Sequence, residues 1–140
     1  MSNHRRNATA LVFALAIALL GISSAATADD AGPTWTSQAG LYRVRYKSEL
    51  EPIEINKIHD WVLHVETAAG APVVDAEITL TGGMPAHNHG MPTQPQVTKN
   101  MGHGDYLVEG MRFHMAGDWV ITLTISAAAG QDTCTIPLKL

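Results

Sequence analysis

An all-β, immunoglobulin-like antiparallel β-sandwich of about seven strands, following an N-terminal signal helix, is the fold class that this sequence predicts. Three observations carry it. From Gly40 onward apolar and polar side chains alternate with period two, no segment there has the period of an amphipathic helix, and turn signals recur at intervals of about ten residues. A small barrel is the alternative.

The first predicted strand places Tyr42, Val44 and Tyr46 on one face and Arg43, Arg45 and Lys47 on the other, so one side is buried and one is wet. In the next, Trp61, Leu63 and Val65 share a face, with Asp60, Val62, His64 and Glu66 opposite. Residues 68–72, rich in Ala and Gly and ending at Pro72, break the run. Alternation then resumes over residues 73–81, with Val74, Ala76, Ile78 and Leu80 expected toward the core. Residues 106–108 and 111–115 read as one strand interrupted at Gly110, and residues 119–125 and 133–138 read as the last two. Gly117-Asp118 and Ala129-Gly130-Gln131-Asp132 supply the turns around them. The single Cys134 provides no disulfide staple, so the sandwich must hold by packing of Trp61, Trp119, the tyrosines and the aliphatic strands.

At 140 residues the chain allows one ordinary domain. Its 46% hydrophobic and 16% charged residues exclude a disordered acidic chain or a fibrous repeat. Nine Lys and Arg against 13 Asp and Glu, a net charge of -4, argue against a protein that grips nucleic acid by its phosphates.

The N-terminus reads as an address label. His4-Arg5-Arg6 precedes an uncharged apolar run over residues 8–22, which is shorter than the ~20 residues of a membrane span, and Ala26-Thr27-Ala28 is the small-x-small pattern of a signal peptidase site. Residues 1–28 are therefore expected to be a signal peptide cleaved before Asp29, residues 29–39 a flexible segment, and residues 40–140 the sandwich. The protein is expected in the periplasm or secreted, with no stable span after cleavage; an uncleaved anchor is the alternative. Loss of Arg5 and Arg6 with the leader leaves seven basic against 13 acidic residues, a net charge of -6.

One connection departs from the short-loop rule. Residues 81–97 contain Pro85, Pro92 and Pro95 among several glycines, and loops of this length in compact domains are usually functional or disordered. All five methionines beyond the leader, Met84, Met91, Met101, Met111 and Met115, fall between residues 84 and 115, together with His87, His89, His103 and His114. Thioether sulfur is neutral and polarisable and suits Cu(I), whereas imidazole serves Cu(I), Cu(II) and zinc, so a mixed His and Met set favours copper, Cu(I) above all. His87-x-His89 places two rings on one side of a locally extended chain, and Met84 and Met91 bracket the pair. His114 and Met115, beside the turn at Gly117, form a second group that binds the same ion where the strand ends or bulges. The candidate metal ligands are Met84, His87, His89, Met91, His114 and Met115.

Blander readings stand beside these. Met111, Phe113 and Met115 alternate on one side and can be core packing; His59 and His64 read as surface or satisfied half-buried histidines, His103 as part of a flexible turn, and Cys134 as a small core residue.

The pattern Gly82-Gly83-Met84-Pro85-x-His87-x-His89-Gly90-Met91-Pro92-Thr93-x-Pro95-x-Val97, followed by Tyr106-x-Val108-Glu109-Gly110-Met111-x-Phe113-His114-Met115-x-Gly117-x-Trp119, resembles the YtkA-like and FixH-like family of exported or membrane-anchored single domains. The resemblance spans about residues 53–125. It implies an immunoglobulin-like sandwich and a role linked to copper supply for respiratory oxidases. The expected function is an extracytoplasmic copper carrier or chaperone that buffers the ion or hands it to a metal-receiving envelope protein, such as a component of respiratory oxidase assembly. The alternative is a metal-free interaction module that assists assembly of a membrane complex. No enzyme is expected: the chain has no nucleophile-elbow Ser, phosphate-cradling loop or HExxH helix, and Cys134 lies far from the His and Met cluster in sequence.

Overall fold

The computed structural model of the chain describes residues 32–140. The expected signal helix and its cleavage site lie outside the described residues. Among those residues no helix is long and apolar enough to cross a membrane.

The fold is all-β, as the alternation predicts. Among the described residues nine strands, β1 (Trp35–Thr36), β2 (Tyr42–Ser48), β3 (His59–Thr67), β4 (Glu77–Met84), β5 (His89–Gly90), β6 (Gln96–Gly102), β7 (Asp105–Met111), β8 (Asp118–Ala127) and β9 (Gly130–Lys139), form two antiparallel sheets. One has the order β1-β2-β3-β7-β6 and the other β5-β4-β8-β9. Their facing sides enclose Tyr42, Val44, Trp61, Leu63, Val65, Tyr106 and Val108 from the first sheet, and Ile78, Trp119, Ile121, Leu123, Ile125, Cys134 and Ile136 from the second. This is the period-two face read from β2, β3 and β8. Trp61 is fully buried, stacks on Tyr46 with ring centroids 4.0 Å apart, and donates its Nε1–H to His59 Nε2 at 3.1 Å.

Four boundaries differ from the sequence reading. The sandwich begins before Gly40, because β1 pairs with β2 and the backbone N–H of Gln38 donates to Thr133 on β9. The strand expected over residues 73–81 starts only at Glu77; Val73 is buried and Val74 is 47% exposed. The Tyr106 hydroxyl explains this shift, since it donates to the Val73 carbonyl and accepts from the Ala76 N–H, holding residues 73–76 out of the ladder. Gly110, at φ 88°, does not interrupt β7, which continues to Met111, and residues 112–115 leave the sheet instead. Finally, β6 has almost wholly exposed side chains and so carries no apolar alternation to betray it.

Candidate metal centre

Strand β4 ends at Met84, and the chain then makes a single 3-10 turn over Pro85–His87. Proline suits that first turn because its fixed φ is already helical and its missing N–H would have no partner there. Asn88 follows in the left-handed region, φ 51° and ψ 39°, a conformation that asparagine tolerates better than most residues. The chain reverses, and β5 pairs back on β4 with His89 opposite Met84 and Gly90 opposite Gly83. A further bond, from the Met91 N–H to the Gly82 carbonyl at 3.0 Å, closes the hairpin. The locally extended His87-x-His89 of the sequence reading is thus replaced by a turn residue and a strand residue flanking a left-handed Asn88. The two rings still lie 5.9 Å apart between centroids.

The second stretch arrives from β7. Phe113 turns into the core, and His114 faces the other way and is half-buried. Gly117, at φ 130°, turns the chain into β8, and its backbone exchanges both hydrogen bonds with Leu140. The Trp119 Nε1–H donates to the Met115 carbonyl at 3.0 Å and steadies the same turn. Because β4 and β8 are neighbours, with Gly83 opposite Val120, the hairpin leaving β4 and the turn entering β8 share one end of one sheet.

The two stretches meet there. The His89 and His114 rings are 5.6 Å apart, edge to face at 75°, and Trp119 stands on the other side of His114 at 5.4 Å. Imidazoles that share one ion, each nitrogen about 2 Å from it, have centroids about 5 to 6 Å apart, so both His pairs are spaced for a common ion. Among the described residues the buried His114 Nδ1 has no hydrogen-bond partner, an atom that a cation would satisfy. The nitrogens do not already converge: among the described residues no group of three or more His, Cys, Asp or Glu side chains is arranged to hold a metal ion. His87 and His89 are exposed, so their rings are free to rotate.

The thioethers are placed differently. Met84 is only 1% exposed, and its terminal methyl lies 2.7 Å from where a side chain at Gly117 would begin, which joins the hairpin to the His114 turn. Met91 and Met115 are half-buried against the core, Met111 is fully buried within it, and Met101 stands exposed on β6. Trp119 as a neighbour of His114 and the left-handed Asn88 are features that sequence reasoning did not find. The first could have been suspected from five residues of separation across a glycine turn.

His59 and His64 have other partners, whereas the buried Arg112 Nε, like His114 Nδ1, has none among the described residues. His59 Nε2 accepts from Trp61, which leaves Nδ1 to donate to the Lys57 carbonyl at 3.1 Å. His64 lies between Asp105 and Glu66, and Glu66 also pairs with Arg45 at 2.9 Å. His103 sits at φ 55° in the turn between β6 and β7. Cys134 is buried opposite Leu123, and burial together with the Asp132 charge pushes its thiol up to about 11.

A family model described as YtkA-like matches residues 36–124. No curated protein and no solved structure matches the chain.

Proposed function

The chain belongs to the YtkA-like family, and from that premise we propose that it is an extracytoplasmic copper-binding carrier that buffers the ion or delivers it to a metal-receiving envelope protein. One observation supports this reading above the others. Imidazoles from two remote stretches, His87 and His89 on one and His114 on the other, stand in a row at the rim, and the innermost has an unpartnered buried nitrogen. Rotation of the two exposed rings turns that row into a cluster around one ion. Met84, Met91 and Met115 stand in the same two stretches as soft donors for Cu(I). A site whose outer imidazoles, His87 and His89, are exposed suits exchange, because a receiving protein can approach the ion there and replace ligands one at a time. The role is that of a carrier and not of a catalyst, and its recipient, on the family resemblance, belongs to respiratory oxidase assembly.

The test is copper titration of the exported protein, with a chromophoric Cu(I) chelator as competitor. Wild type binds stoichiometrically, and changing His87, His89 and His114 together to Ala costs more than the roughly 10- to 100-fold that outer-sphere partners contribute. Absence of binding in wild type, or equal binding by the triple variant, refutes the carrier. The metal-free assembly module is favoured by a different observation, that the nitrogens are not preorganised. Under that reading chelator leaves partner pull-down unchanged; under the carrier reading it weakens it.

A further inference from the structure

We infer that the adjacent glycines Gly82 and Gly83 are positioning residues of the rim site, each vacating the space that one candidate ligand, Met91 or His89, requires. This rests on the carrier reading only for what the ligands bind; where they sit is a separate matter.

Neither glycine is needed for its backbone angles. Both lie inside β4, and neither has the positive φ that marks Gly40, Gly70, Gly102 or Gly110. Glycine in a strand interior weakens the strand and usually marks a close approach of other atoms, so the reason must be space. On β4 the positions of even number face the core: Ile78 and Met84 are buried and Leu80 packs against them. Gly82 falls in this series, opposite Ile121 in register, and offers no side chain. Met91 fills the notch. A Cβ on Gly82 would lie 2.5 Å from the Met91 sulfur, 2.8 Å from its Cγ and 2.8 Å from Ile121 Cδ1. The thioether therefore occupies a core position that belongs in register to β4, and the Met91 N–H bond to the Gly82 carbonyl fastens it there.

Gly83 faces the other way and serves the other ligand. A Cβ there would lie 2.7 Å from the carbonyl oxygen of His89, a backbone atom that no rotamer can move aside. Any larger residue would push β5 off β4 and take His89 with it. The diglycine thus assigns one vacancy to sulfur and one to the histidine-bearing backbone.

The two substitutions should separate. Gly82→Ala displaces the sulfur and spares the His89 backbone, so Cu(I) affinity falls by about tenfold or more while Zn(II) affinity, which rests on imidazole, falls less. Adding Met91→Leu costs nothing further. Gly83→Ala lowers Cu(I) and Zn(II) affinity together. Ile121→Val, combined with Gly82→Ala, relieves the clash with the core and keeps the fold while leaving the sulfur displaced. A metal-free arm reads the seat directly: peptide mapping after brief peroxide treatment should find Met91 oxidised more slowly than the exposed Met101 in wild type, and several times faster than that in Gly82→Ala/Ile121→Val. Unchanged Met91 oxidation in that folded variant overturns the proposal, as does equal loss of Cu(I) and Zn(II) affinity in it. A wild type that binds no Cu(I) but shows the oxidation change refutes the carrier and supports the seat.

Discussion

The indole of Trp119 stands edge-on to the imidazole of His114, ring centroids 5.4 Å apart and planes at 80°, while its Nε1–H holds the Met115 carbonyl. A buried fluorophore is therefore in contact with a candidate ligand. Cu(II) bound by His114 should quench the Trp119 emission, and His114→Ala should abolish that part of the quenching while the Trp61 signal persists. Stopped titrations of wild type, His114→Ala and Trp119→Phe check this; identical quenching in all three would place the ion elsewhere.

Trp61 is a packing residue and its loss should appear in stability alone. It is fully buried, stacked on Tyr46 and near Phe113. Trp61→Ala is expected to cost about 3 to 5 kcal/mol in urea unfolding. Trp61→Phe keeps much of the ring but leaves the buried His59 Nε2 without its donor, a loss of about 1 to 3 kcal/mol.

Asp132 should make stability depend on acid. Burial opposes its charge, but the Ser37 hydroxyl and the backbone N–H groups of Ala39, Thr133 and Leu41 outweigh that and hold the carboxyl at about 2, below its ordinary 3.8. Because the unfolded chain takes up the proton first, the stabilisation is complete above the ordinary value and disappears as pH falls from there toward about 2. Asp132→Asn should unfold at lower urea than wild type at pH 7, and the two curves should merge near pH 2.

Cys134 should be silent. With its thiol pushed up to about 11 and its side chain in the core, it is neither a thiolate nor accessible at neutral pH. A chromogenic disulfide reagent at pH 8 is expected to leave native protein unmodified and to titrate one thiol after denaturation. Cys134→Ser should leave copper binding intact; loss of binding there would bring sulfur from β9 into the site.

The parts of this fold that were legible in the sequence are those with one face in the core. Tyr42 and Val44, Trp61 to Val65, and Trp119 to Ile125 announce their strands because burial forces apolar residues to every second position. Residues 96–102 stayed hidden because an edge strand with exposed side chains obeys no such demand. Val74 misled for the opposite reason: it continues the alternation by sequence, but the Tyr106 hydroxyl captures the backbone on either side of it. At the rim, residue types suggested the ligands but not their roles. Burial sorts them, with Met84 nearly enclosed and His87 and His89 at the surface, and burial of a loop residue depends on contacts that no local pattern encodes.

The rim histidines are carried by the ends of β4 and β8, whose ladder runs unbroken from Glu77 opposite Ser126 to Gly83 opposite Val120. That ladder acts as a ruler. A slip of two residues along it would slide one group of rings past the other by about 7 Å, more than the present gap between His89 and His114, whereas residues inserted between β5 and β6 would lengthen a connection and leave the gauge unaltered.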